Sequence, residues 1–151
     1  MKNIFLCLLV VGNLQMIFAQ SQEEAAICKA IEEETLYRYS HQFDKWADCW
    51  VQKPTSFFCY TSMNMSFQVY GWSAIYQDIK EYASKFSADD RVTFQNENYK
   101  FSIYKDVAWV TYTQKSKDGK QSLHQRILEK VNKQWKITNL TEVTLSDYIQ
   151  R

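Results

Sequence analysis

Glycine and proline are nearly absent, three and one in 151 residues, and histidine occurs twice. So little glycine and proline excludes collagen-like, linker-rich and low-complexity chains. There is no glycine-rich phosphate loop, no nucleophile elbow and no metal-binding motif. Cysteine and histidine never cluster locally, and the cysteine spacing is wrong for a zinc site. Charge of one sign is also missing: Lys and Arg number 18, Asp and Glu 17. A partner bound through its phosphates needs a clustered basic excess, so nucleic acid is excluded as the main partner. The runs Glu32-Glu33-Glu34 and Lys115 to Lys120 read as solvated surface. What the chain has in quantity is aromatic side chains, 16% of all residues, enough for a sizeable core without disulfide staples.

The one marked apolar run is at the start. Met1-Lys2 is a short basic opening, Ile4 to Val11 is apolar, and Ile17-Phe18-Ala19 ends on a small residue. This is the layout of a secretory signal peptide with cleavage after Ala19, and it predicts an exported protein, periplasmic or secreted. Asn13 and Gln15 interrupt the run before it reaches the roughly 18 apolar residues of a spanning helix, and no later segment supplies one. Removing residues 1–19 takes away Lys2 and no acid, so bases and acids then balance. The remainder, 20–151, has the length of a single domain, with no internal repeat or linker. Cys28, Cys49 and Cys59 survive cleavage. An oxidising compartment permits one bridge among them. Cys28 and Cys49 would meet if the first two helices run antiparallel, and three unpaired thiols are the alternative.

Composition and spacing then order the elements. Gln22 to Tyr39 predicts a helix, with Ile27 and Ile31 one turn apart. His41 to Val51 predicts a second, in which Phe43, Trp46, Ala47 and Trp50 form an apolar stripe, ended by Lys53-Pro54. His41 and Asp44 stand where they would cap it. Thr55 to Thr61 and Met65 to Tyr70 are strands, and Gly71 breaks the second. Trp72 to Phe86 is the clearest helix, with Trp72, Ile75, Tyr76, Ile79, Tyr82, Ala83 and Phe86 on one face, and Ser87 to Asp90 closes it. A long strand, Val92 to Tyr104, leads into a meander punctuated by Lys105-Asp106, Asp118-Gly119 and Asn132-Lys133. Helix, helix, hairpin, helix and meander make an α+β fold, its helices collected on one face of a mostly antiparallel sheet.

Two-residue turns at Asp118-Gly119 and Asn132-Lys133 set a register. Thr113 then faces His124, Thr111 faces Arg126, and Trp109 faces Leu128. On the far side His124 faces Thr141, Arg126 faces Asn139, and Leu128 faces Ile137. The shared face is apolar at one end (Trp109, Leu128, Trp135, Ile137) and polar at the other (Thr113, His124, Arg126, Asn139, Thr141). The opposite face carries Phe101, Val110, Tyr112, Ile127 and Leu140. It is too apolar to stay wet, and a second subunit is expected to cover it. Any one-residue bulge would swap the faces beyond it.

The candidate site follows from that register. His124 is the candidate catalytic residue, since imidazole titrates near neutrality and can move a proton. Arg126, two residues on, is a fixed cation suited to a carboxylate or an enolate oxygen. Asn139 and Thr141 sit beside them; Trp46, Trp50 and Trp109 would wall a small, largely apolar ligand, Tyr37 would donate into the pocket, and if the ligand carries an anionic group Arg126 is its partner. A hydrogen-bonded structural network and plain aromatic packing are the alternatives for the same residues. No cofactor or metal is implied. Asn64-Met65-Ser66 and Asn139-Leu140-Thr141 match the glycosylation acceptor pattern, and a strand is a poor place for the second.

Over most of residues 22–146 the sequence resembles the nuclear transport factor 2-like superfamily, and within it the SnoaL-like and related small exported proteins. The residues that carry the resemblance are the Ile-bearing first helix and Phe43-Asp44-Lys45-Trp46 leading to Trp50. With them go Lys105-Asp106-Val107-Ala108-Trp109-Val110 and Asn132-Lys133-Gln134-Trp135-Lys136-Ile137. The resemblance implies a cone in which a curved sheet wraps a helix-lined pocket, often in a dimer. It implies no single activity, since the fold hosts isomerases, dehydratases, cyclases and non-catalytic modules. Steroid-isomerase-like members place a carboxylate base on the first strands, and Thr55 to Tyr70 holds no Asp or Glu. Dehydratase-like members use a His and Asp group, which His124 with Asp44 would imitate. Three functions remain: an exported ligand-binding domain, an isomerase or dehydratase with His124 as base, and an interaction module acting through its sheet face. An open apolar cavity favours the first two, and a cavity filled by its own aromatics favours the third.

Overall fold

The structure, a computed structural model, describes residues 22–88, 94–117 and 119–144. The expected leader with its cleavage point after Ala19, the start of the third strand at Val92, and Asp118 lie outside the described residues. Helix α1 occupies 22–39, as its composition predicts. Helix α2 is Phe43–Asp48, shorter at both ends than its apolar stripe suggests. Its N-cap is Gln42, without a side-chain cap, so neither His41 nor Asp44 caps it; Asp44 sits in the first turn, where a carboxylate suits the helix dipole. Strands β1 (Phe57–Thr61) and β2 (Ser66–Tyr70) form a hairpin. Helix α3 (Trp72–Ala83) starts at Gly71, whose φ of +83° only glycine adopts readily. Strands β3 (Gln95–Tyr104), β4 (Val107–Lys115), β5 (Gln121–Val131) and β6 (Gln134–Thr144) form the meander.

The six strands make one sheet in the order β2-β1-β6-β5-β4-β3. Every pairing is antiparallel except β1 with β6. Cys49 to Val51 runs beside the start of β6: the Val51 amide donates to Ile137 O and the Ile137 amide to Cys49 O, both at 2.8 Å. The helices supply Ile27, Ile31, Trp46, Ile75 and Ile79 to a core that meets Val110, Tyr112, Leu128, Ile137 and Leu140 from the sheet. Trp46, Trp50, Trp72 and Tyr76 pack ring against ring, with centroids 5.3–6.0 Å apart. Cys28, Cys49 and Cys59 are unpaired.

Two local features overturn the expected register. Asn132 and Lys133 form the two-residue turn expected of them, at φ 50° and 66°. The turn before it is one residue longer. Lys115 pairs with Gln121, the Ser116 amide donates to Lys120 O at 3.0 Å, and Gly119 at φ +82° donates to Ser116 O. A three-residue loop ending in a left-handed glycine is the next commonest hairpin connection. It sets Tyr112 opposite His124, Val110 opposite Arg126 and Ala108 opposite Leu128. The second feature is a bulge in β6. Leu128 still faces Ile137, but Ile127 faces Asn139, so Thr138 is the extra residue and Arg126 and His124 face Leu140 and Glu142. The Thr138 hydroxyl donates to Ile127 O at 3.2 Å across the bulge.

The faces change accordingly. Ala108, Val110, Tyr112, Leu140 and Glu142 join His124 and Arg126 on the inner face, while Trp109, Thr111, Thr113, Asn139 and Thr141 turn outward. The patch assigned to a second subunit is therefore corrected. Val110, Tyr112 and Leu140 belong to this chain's own core, Phe101 packs against it, and Ile127 alone of that group stays on the outer side.

Candidate functional site

Helix α1 presents Ile27, Ile31, Glu34 and Arg38 to the sheet, a stripe at helical spacing in which the last two positions are charged. Glu34 is fully buried and satisfied twice. Trp46 Nε1 donates to Oε1 at 2.7 Å and Arg126 Nη1 donates to Oε2 at 2.6 Å. Arg126, also fully buried, donates from Nε to the Tyr112 hydroxyl at 3.0 Å. Tyr112 stacks on His124 at 4.9 Å and on Tyr99 at 5.0 Å. His124 Nε2 lies 2.8 Å from Ser122 Oγ, and its Nδ1 has no partner among the described residues. Arg38 completes the cluster, with Nη2 3.9 Å from Glu142 Oε2.

Electrostatics sort these groups. Burial pushes the Glu34 carboxyl upward, but Arg126 and Arg38, with the two hydrogen bonds, overcome it and hold Glu34 below the usual carboxylate range. Burial, then Arg126 and Arg38, drive His124 well below the usual imidazole value, so it is neutral at pH 7. Burial pushes the Tyr112 phenol up. At pH 7 the cluster therefore holds Glu34, Arg38 and Arg126 charged and His124 uncharged. A buried Arg126 needs a partner on energetic grounds, and of Asn139, a carboxylate or an anionic ligand it is the Glu34 carboxylate that fills the role.

Beside the cluster lies a cavity of about 750 Å³. It opens between the end of α1, the β1–β2 hairpin, α3 and Phe94 just before β3. Its wall is mostly apolar, with Phe58, Phe67, Ile79, Tyr82, Phe86 and Phe94. Its polar groups include Arg38 and Glu142, which belong to the buried cluster, and His41, Asp78 and Glu81 from α3 and the end of α1. Met65, Tyr82 and Phe86 are exposed at the rim.

The residues singled out from the sequence fall into three groups. His124, Arg126 and Trp46 come together through Glu34 and Tyr112. Trp50 packs on Trp46 in the core, and Tyr37 sits at the core margin, 5.5 Å beneath the Lys45 ammonium. Trp109, 54% exposed, is on the outer face with Asn139 and Thr141, apart from His124 and Arg126. None of these eight lines the cavity. Asp44 is exposed on α2 and His124 buried, so they form no pair. Glu34, Arg38 and Glu142 were missed. The signal for the first two was present, because charged residues continue the apolar stripe of α1 at the core-facing spacing. Among the described residues no group of His, Cys, Asp and Glu is placed to hold a metal, and no helix is long and apolar enough to cross a membrane.

No protein-family model matches the chain, and neither does any curated protein. Solved structures do. A proposed dehydratase of the nuclear transport factor 2-like family from Streptomyces avermitilis aligns with a TM-score of 0.65 at 12% identity, over 82% of this chain and 97% of that one. A nuclear transport factor 2-like protein of unknown function from Silicibacter pomeroyi gives 0.63 at 10% identity, over 83% and 98%. A proposed ketosteroid isomerase from Parabacteroides distasonis gives 0.58 at 12% identity, over 78% and 84%. At such identities the agreement is one of fold: N-terminal helices against a curled, mostly antiparallel sheet.

Proposed function

We propose, with the nuclear transport factor 2-like fold of this chain as the premise, that it is an exported domain whose cavity binds a small, largely apolar molecule. The observation that carries this reading is the wall of Phe58, Phe67, Ile79, Tyr82 and Phe86 around about 750 Å³ of space. Ligand sites are typically concave, about 300–1,000 Å³, mostly apolar and supplied with a few polar groups. Export rests on the Met1 to Ala19 leader pattern. A homodimer fits the outer sheet face, where Trp109, Val107 and Leu123 are exposed.

An isomerase- or dehydratase-type reaction with His124 as base is the second reading. A neutral imidazole with a free Nδ1 beside Arg126 supports it; complete burial, and a cavity wall that His124 does not reach, weigh against it. Titration with the neutral apolar fluorophore N-phenyl-1-naphthylamine tests the first reading. Saturable enhancement is expected from the wild-type chain, and its loss from Ala83→Trp, which fills the cavity from α3. The reading fails if no saturable binding is seen, or if a folded Ala83→Trp binds as before.

A further inference from the structure

Among the described residues Arg38 and Glu142 belong both to the buried charge cluster and to the cavity wall, and the donors of Arg38 are not used up. Arg38 is 8% exposed, and neither Nε nor Nη2 has a hydrogen-bond partner among the described residues. Glu142, which also lines the cavity, stops 3.9 Å short of Nη2, beyond hydrogen-bonding reach. A guanidinium edge that is buried and unbonded is costly. From this gap we infer that Arg38 and Glu142 together bind the hydroxyl group of a neutral, otherwise apolar ligand. The inference rests on the cavity being a ligand site and specifies the ligand's head group.

The choice of a hydroxyl follows from the two sides of the gap. One oxygen lying off the line between Nη2 and Oε2 reaches both at hydrogen-bonding distances of about 2.7–3.0 Å. Seen from Arg38 it must accept, because a guanidinium only donates; seen from Glu142 it must donate, because a carboxylate only accepts. An alcohol or phenol does both with one atom. An ether or a ketone satisfies Arg38 and leaves Glu142 unmet. A carboxylate faces Glu142, and an ammonium faces Arg38. Charge balance points the same way: Glu34 and Glu142 already offset Arg38 and Arg126, so an anionic head would leave an uncompensated buried charge. At the mouth Lys85 pairs with Glu81 at 3.8 Å, which leaves the exposed Asp78 to oppose an acid there. The tail would lie against Phe58, Phe67 and Ile79.

Displacement of N-phenyl-1-naphthylamine by 1-decanol, decyl methyl ether and decanoate, which share one tail and differ in the head, tests the assignment. Decanol is expected to bind at least tenfold tighter than either of the others. Glu142→Gln, checked for folding by circular dichroism, is expected to bind decanoate about tenfold tighter than the wild type does, because the repelling charge is gone. Equal affinity for decanol and its ether, or tighter binding of decanoate than of decanol, overturns the head-group assignment while leaving the apolar cavity in place. Decanoate binding unchanged in Glu142→Gln overturns the role of Glu142. Absence of fluorophore binding altogether removes both the cavity reading and this one.

Discussion

Substituting Glu34 by Gln keeps the shape of the side chain and removes its charge. In the structure Glu34 and Arg126 are both fully buried, 2.6 Å apart, and Glu34 also takes the Trp46 indole proton at 2.7 Å. The amide carbonyl can keep one of these two bonds, and its NH₂ then points at the other donor, the guanidinium or the indole N–H, neither of which accepts. Hydrogen bonds to a charged group contribute about 1.5–3 kcal/mol, and removing one partner of a buried pair costs about 3–5 kcal/mol because the other charge stays uncompensated. Glu34→Gln is therefore expected to lower the unfolding free energy by about 3–5 kcal/mol in urea at pH 7, with an unchanged denaturant slope. The double variant Glu34→Gln/Arg126→Met removes the stranded cation and should be more stable than Glu34→Gln alone. The pH dependence carries a second signature. The folded-state pKa of Glu34 is depressed, so its contribution is present above the ordinary carboxylate value of 4.5 and lost as pH falls through the folded value. Glu34→Gln should lack that part of the acid loss. A single variant that loses less than about 1 kcal/mol, or a double variant no more stable than the single, would refute the buried-pair account.

His124 titrates in the opposite sense to a salt-bridged histidine. Its folded value lies well below the unfolded 6.5, so stability is full above about pH 6.5 and falls as pH drops toward the folded value, by up to about 1.4 kcal/mol per pH unit; His124→Gln should flatten urea midpoints between pH 6.5 and 5. Trp46→Ala should cost about 3–5 kcal/mol, whereas Trp109→Ala should change monomer stability by under about 0.5 kcal/mol and instead shift sedimentation toward monomer. Lys133→Gly, at φ 66°, should raise stability by about 0.5–1 kcal/mol in thermal unfolding, since Asn-Gly suits this turn better. Intact-mass measurement of exported protein should give a chain starting at Gln20, and a mass that includes residues 1–19 would contradict the leader assignment.

Sequence alone determined what depends on local periodicity. The length of α1, the aromatic stripe of Phe43, Trp46 and Trp50, the α3 pattern of Ile75 and Ile79, and the left-handed pair Asn132-Lys133 are properties of a few neighbouring residues, and each has its place in the fold. The inward pairing of His124 with Arg126 was legible for the same reason, because residues two apart on a strand share a face. Tertiary structure decided what depends on parity between strands. One extra residue before β5 and one at Thr138 turned Trp109, Asn139 and Thr141 outward and brought Val110, Tyr112, Leu140 and Glu142 inward. A period of two makes every such assignment reverse on a single insertion, and a hairpin loop of two or three residues is not distinguished by an Asp-Gly pair alone. Only the tertiary structure, too, joined Glu34 and Arg38 to β5 and β6, 92 residues away in the case of Glu34 and Arg126. Charges on a helix read as solvated until a sheet is seen to cover them, and here that cover creates both the buried ion cluster and the polar end of the cavity.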